Sequence, residues 1–187
     1  MAIKKEIAPK GLSFGVSDFT ISDKFATILS VLSYPKYITP GYLSSLTAGQ
    51  AGVKIVIKHI PVAFDVVSKI NKQIIDLYDR YQKETDATYQ ERLRQDYESL
   101  ENFIKVITTN QSKVFDFQMH IMITADTKEE LERTKVSLKS TLEAMEMRAI
   151  PLRFEQEKVL KSCLPIFDKQ DIEDRIGTPI PSPTLAA

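Results

Sequence analysis

The period of apolar positions changes several times along the chain, and each change marks an element. From Leu12 to Phe19 apolar residues alternate (Leu12, Phe14, Val16), the period of a half-buried strand. Ser22-Asp23-Lys24 supplies a turn. Phe25 to Leu32 carries apolar groups on both alternating sets, as a strand covered on both faces would, and is the expected central strand. Tyr34-Pro35 ends it, because proline lacks an N–H and restricts the residue before it. Pro40-Gly41 repeats the break, after which Tyr42, Leu43 and Leu46 are spaced for one short helix with Gly49 as its stop. Val53 to Ile60 alternates again and reads as a strand.

After Pro61 the period lengthens to that of a helix: Val62, Val66, Ile70, Ile74, Leu77 and Tyr81 fall on one stripe. A charged interval at Lys83-Glu84-Thr85-Asp86 separates it from a second stripe, Tyr89, Leu93, Tyr97, Leu100, Ile104 and Ile107. The pair predicts an antiparallel helical hairpin over about residues 62–110, with a charged tip that projects beyond the sheet. Val114 to Thr124 alternates most cleanly, with Phe115, Phe117, Met119, Ile121 and Ile123 on one face, and predicts a strand. Thr127 followed by Glu130 resembles a capping box opening an amphipathic helix through Leu131, Leu138, Leu142 and Met145. Arg148 to Phe154 is expected to be the final strand, placed at an edge by Pro151, and Gln156 to Cys163 a short helix.

These elements predict an α+β fold: a mixed, mainly antiparallel sheet of about four to five strands with ferredoxin-like elements, helices packed on one face, and the long hairpin. Residues 1–11 read as a flexible arm, 12–176 as a single domain and 177–187, with Pro179, Pro181 and Pro183, as a proline-rich linker or tail. Such an ending suits either a domain of a longer protein or a natural tail. No internal repeat is visible.

Composition narrows the function. Lys plus Arg (25) equals Asp plus Glu (25), so no global field draws in nucleic acid or an anionic membrane. The longest apolar runs, such as Ile60 to Phe64, fall far below the ~20 residues needed to cross a bilayer. The start, Met1-Ala2-Ile3-Lys4-Lys5-Glu6, lacks the apolar core of a secretory signal, so a cytoplasmic location is expected. Cys163 is the only cysteine, which excludes an intramolecular disulfide and a cysteine-based zinc cluster and suits a packed core thiol.

Candidate chemistry is sparse. The six glycines form neither a P-loop nor a GxGxxG turn, and Gly49-Gln50-Ala51-Gly52 suits a tight turn. His59 and His120 lie in or at the end of predicted strands rather than paired at helical spacing for a metal. Acidic residues such as Glu98, Glu101, Asp126, Glu129, Glu130 and Glu132 alternate with Lys and Arg on solvated helical faces. Tyr34, Tyr37 and Tyr42 cluster around prolines, where they serve either loop packing or stacking on a base or a partner surface, and no dense run of Lys or Arg accompanies them. No catalytic, cofactor or metal site is expected. Surfaces for contact are expected at Tyr34, Tyr37 and Tyr42, at Glu84 on the hairpin tip and at the Pro151 edge.

Several stretches carry a resemblance. Asp18 to Pro35 (DFTISDKFATILSVLSYP), Gly41 to Leu46 (GYLSSL), Ile55 to Pro61 (IVIKHIP), Ala125 to Leu131 (ADTKEEL), Phe154 to Glu157 and Leu164-Pro165, in this order and spacing, resemble the N-terminal domain of conjugative type IV secretion ATPases. These are the VirB-type, TraC/TrsE-like traffic ATPases of mobile elements, and the likeness covers most of the chain. It implies a docking or assembly role beside a RecA-like motor that is absent here, with no nucleotide site to carry over. The partners it implies are inner-membrane and channel subunits and neighbouring protomers of a full-length parent, with contact to the membrane only through them and none to nucleic acid. Two other classes stay open: a stand-alone ferredoxin-like module for nucleic acid or a regulator, and a small enzyme built around His59, His120 or Cys163.

Overall fold

The computed structural model describes residues 11–35, 41–47, 51–62, 65–110, 112–165 and 170–182. Tyr37, Gly49 and most of the expected N-terminal arm lie outside them. The elements in chain order are β1 (Leu12–Phe14), β2 (Phe19–Ile21), β3 (Lys24–Ser33), α1 (Tyr42–Thr47), β4 (Val53–Pro61), α2 (Asp65–Lys83), α3 (Ala87–Asn110), β5 (Val114–Ala125), α4 (Lys128–Ala144), β6 (Arg148–Pro151), α5 (Gln156–Cys163), α6 (Glu173–Ile176) and β7 (Thr178–Pro181). The fold is α+β, with a mostly antiparallel, open seven-stranded sheet in the order β1-β2-β3-β5-β4; β6 also pairs with β3 and β7 with β5. Taken alone, β3, β4, β5 and β6 lie in the spatial order fourth, first, third, second, with α1 after the first strand and α4 after the third. That is the split βαβ arrangement of ferredoxin-like folds, and α2 and α3 are inserted between its second and third strands.

Tertiary contacts divide the chain into two compact units, residues 1–58 with 118–178, and 59–117 with 179–187. The first unit is built on β3, whose residues Ala26 to Val31 are all buried. Ala26 and Ile28 pack with Phe19, Val159 and Ile172, so α5 covers one face of the strand. Leu29 and Val31 on the alternate face are as deeply buried, and α4 buries Leu131, Leu138 and Leu142 and contacts β3 and β6. Cover on both faces corrects the expected single helical layer. A strand apolar on both alternating sets requires it.

Two side chains mend gaps in the ladders of this unit. On one flank β3 pairs with β2 through Ala26 and with β6 from Leu29 onward, which leaves Ile28 between the two partners. The Gln156 carboxamide fills that space: Ile28 N–H donates to its Oε1 at 2.9 Å, and its Nε2 donates to Ile28 O and Leu152 O, both at 3.2 Å. Gln156 is 1% exposed, so these bonds exchange nothing with water. On β5, where pairing with β3 stops at His120, the next N–H, that of Met119, donates to the Tyr34 hydroxyl at 3.1 Å. Gly52 closes the approach to β4 at φ 78°, and a Cβ there would stand 2.2 Å from Thr124 O, so glycine is required twice over.

The second unit is dominated by the hairpin of α2 and α3. Its seam holds the buried residues Ile70, Leu93 and Ile107, with Ile74, Leu77, Tyr81, Tyr97 and Leu100 half-buried beside them. Lateral support is local: Arg94 bridges Glu91 and Glu98, Arg80 pairs with Asp76, and the Tyr97 hydroxyl donates to Glu101. In the same unit Ser182 N–H donates to Lys113 O at 2.8 Å, following β7.

Several expectations need correction. The stretch from Leu12 to Phe19 is two strands rather than one, because Gly15 N–H donates to Asp18 O and turns the chain between them. β6 stops at Pro151 instead of Phe154, and it is not the final strand, since β7 follows. Thr178–Pro181 pairs with β5 despite Pro179 and Pro181. Prolines at alternate positions leave the N–H groups on the other parity free to donate, as Ser182 does. The sheet has seven strands rather than four to five because the short β1, β2 and β7 join it.

Candidate interaction surface

Three residues other than glycine hold a positive φ: Ser22 (57°), Glu146 (58°) and Phe154 (61°). Ser22 sits in the two-residue turn joining β2 to β3. Glu146 lies just past α4, where Met147 N–H returns to Leu142 O and closes the helix end. Both positions suit a short or polar side chain in a turn. Phe154 differs, because an aromatic residue in this region is a steric outlier. Its N–H donates to Val16 O at 2.6 Å, which ties the turn before α5 to the β1–β2 hairpin. The backbone demand would be met by glycine, yet the ring is 80% exposed and packs into no core. The fold accepts the strain and gains no burial from the phenyl group.

The surroundings extend the apolar character. Val16, to which Phe154 is tied, is exposed, as are Leu12 and Phe14 on β1, and the Phe14 ring lies 5.4 Å from the ring of buried Phe19. Of the charges near Phe154 in sequence, Glu155 pairs with Arg175 at 2.5 Å and Lys158 with Asp171 at 2.9 Å, while Arg153, the preceding residue, is exposed. The Lys158 hydrogen bond holds the Asp171 carboxyl below its ordinary range, and the Glu155 hydrogen bond raises the Arg175 guanidinium. An exposed apolar centre flanked in sequence by charges, most of them ion-paired, resembles a protein-contact patch more than a pocket for a charged ligand.

The residues singled out in the sequence fall in separate places. Tyr34 is half-buried and its hydroxyl serves Met119. Tyr37 lies outside the described residues, and of Tyr42 only its place at the start of α1 is described. Glu84 organises the hairpin tip, where its Oε1 accepts from Thr85 N–H and Asp86 N–H, both at 2.9 Å, while Asp86 Oδ1 caps α3 through Tyr89 N–H. Pro151 is half-buried and pairs with Leu29 on β3.

His120 is buried, with Nδ1 3.1 Å from Ser30 Oγ. Cys163 packs against the Phe19–Ile28–Val159 cluster, next to Ser162, whose Oγ accepts from Lys58 Nζ at 3.1 Å. In the other unit His59 is exposed and stacks on Phe117, ring centres 5.4 Å apart. Among the described residues no group of three or more His, Cys, Asp or Glu side chains converges to hold a metal. A serine 2% exposed offers no approach to a substrate, so the Lys58–Ser162 pair reads as a satisfied buried contact.

The apolar pattern places Phe154 at the end of a strand, whereas the strand ends at Pro151 and Phe154 is exposed in the turn that follows. The pattern contained no signal for a left-handed phenylalanine. No helix among the described residues is long and apolar enough to cross a membrane. No protein-family model matches the chain, and no curated protein matches it.

Proposed function

We propose that the chain is the docking domain of a conjugative type IV secretion ATPase and acts by recognising other proteins, with no reaction of its own. The observation that carries this reading is Phe154, an aromatic ring held out to solvent on a strained backbone that glycine would satisfy. Bulky exposed aromatics that fill a partner's pocket supply much of the energy of protein interfaces, and strain retained without a packing gain points to use outside the fold. The order and spacing of the secretion-ATPase likeness, from Asp18 through Pro165, supply the class of partner: the inner-membrane and channel subunits of the apparatus.

Placing a photo-crosslinking benzoyl-phenylalanine at position 154 in the full chain, in cells that carry the apparatus, tests the reading. The expected adduct joins the chain to a channel or inner-membrane subunit. Absence of any such adduct, or micromolar binding of ATP or ADP by the isolated chain, would overturn it.

A further inference from the structure

The two ends of the main strand order are built differently. β4 carries Lys54 and Pro61, both exposed, residues that discourage an edge strand from pairing with another chain. β1 carries no such protection. From Gly11 to Ser17 the sequence is Gly-Leu-Ser-Phe-Gly-Val-Ser, seven residues without a charge in a chain that is 27% charged. Leu12 is 49% exposed, Phe14 36% and Val16 46%.

The backbone of β1 faces outward at its two apolar residues. Ser22 N–H donates to Gly11 O and Gly15 N–H to Asp18 O, and the register is Leu12↔Ile21, Ser13↔Thr20, Phe14↔Phe19. Hydrogen-bonded and non-hydrogen-bonded pairs alternate along an antiparallel ladder, so Gly11, Ser13 and Gly15 point their polar groups toward β2. The N–H and C=O groups of Leu12 and Phe14 therefore point away from the sheet.

We propose that this edge pairs with the same edge of a second copy of the chain, antiparallel about a two-fold axis at Ser13. Leu12 then lies opposite the partner's Phe14, and Phe14 opposite the partner's Leu12. Both are hydrogen-bonded pairs that use the outward groups. The edge is its own complement: apolar residues at alternate positions, and no charge to be stripped of water without a counter-charge. A charged strand from another protein would find nothing on Gly11 to Ser17 to pair with. Three residues of strand make a small contact, so the dimer is weak and concentration-dependent.

Sedimentation equilibrium of the full chain over a wide concentration range tests this. The expected result is a reversible dimer, weakened at least about tenfold by L12K and by L12P. L12P removes an outward N–H and none of the donors of the β1–β2 ladder, so the melting temperature is expected to be retained, which separates loss of pairing from loss of fold. Amide exchange at Leu12 and Phe14 slows as concentration rises while that at Ser13 does not change. F154G retains the dimer, so this result and that of the docking reading are separable. A monomer at every concentration, or a dimer of unchanged affinity in both Leu12 variants, contradicts the proposal. Slowed exchange at Leu12 and Phe14 only when a different protein is added would also overturn it, and would give the edge to that protein.

Discussion

The sheet unit and the helical hairpin hold themselves together in opposite ways. In the sheet unit the decisive contacts are distant in sequence: Gln156 reaches Ile28 across 128 residues and Tyr34 reaches Met119 across 85, around side chains with no exposure at all. In the hairpin, Arg94 bridges residues three and four away, the turn is held by Glu84 and Asp86 over one to three residues, and the seam has few fully buried side chains. The first unit is locked by burial and non-local pairing. The second is assembled from neighbours, and regions with fewer buried contacts open more easily.

Paired truncations should expose this difference most strongly. Leu138→Ala, in the sheet unit, is expected to cost about 4 kcal/mol, and Leu93→Ala, in the hairpin seam, about 2 kcal/mol. Urea unfolding gives the magnitudes, and amide exchange should quicken throughout the sheet unit in the first case but only within α2 and α3 in the second. Equal losses with identical exchange patterns would erase the distinction.

Gln156→Leu sharpens it. Keeping the volume while leaving Ile28 N–H and C=O buried without partners should cost about 3 kcal/mol, read as a fall in the urea midpoint. Tyr34→Phe, which removes one hydroxyl from Met119 N–H, should cost about 1 kcal/mol in the same assay.

The smallest effect lies in the hairpin. The Arg94 hydrogen bond, aided by Gln95, lowers the Glu91 carboxyl from its ordinary 4.5 to about 2. A lowered value in the folded state means that the stabilisation is present above about pH 4.5 and is lost as pH falls toward 2. Side-chain carboxyl NMR should follow that titration, and Arg94→Ala should return it toward 4.5 without moving any resonance of the sheet unit.

The elements legible in the sequence were those with a sustained period. The two hairpin helices, β3 and β5 follow from apolar spacing alone, and of the capping box expected at Thr127 one half appears, Glu130 N–H donating to Thr127 Oγ1 at 3.1 Å, while Glu130 Oε2 accepts from Asp126 N–H rather than from Thr127 N–H. Alternation overran the Gly15 turn because Leu12, Phe14 and Val16 keep the strand period through it. Proline content hid β7, whose pairing depends on which parity faces the neighbour. The roles of Gln156 and Tyr34 were not legible, because a side chain that completes a ladder is recognised only once the gap beside it is known. Phe154 was hidden for a related reason: no local pattern announces a positive φ at an aromatic residue.

The claim that the working part of this chain is a surface is tested most directly by Phe154→Gly, with stability and capture of the channel subunit measured on the same preparation. Glycine relieves the left-handed strain, so the free energy of unfolding should rise by about 1 kcal/mol, seen as a higher midpoint, while capture is lost. A lower midpoint with capture unchanged would make the ring a part of the fold and contradict the account.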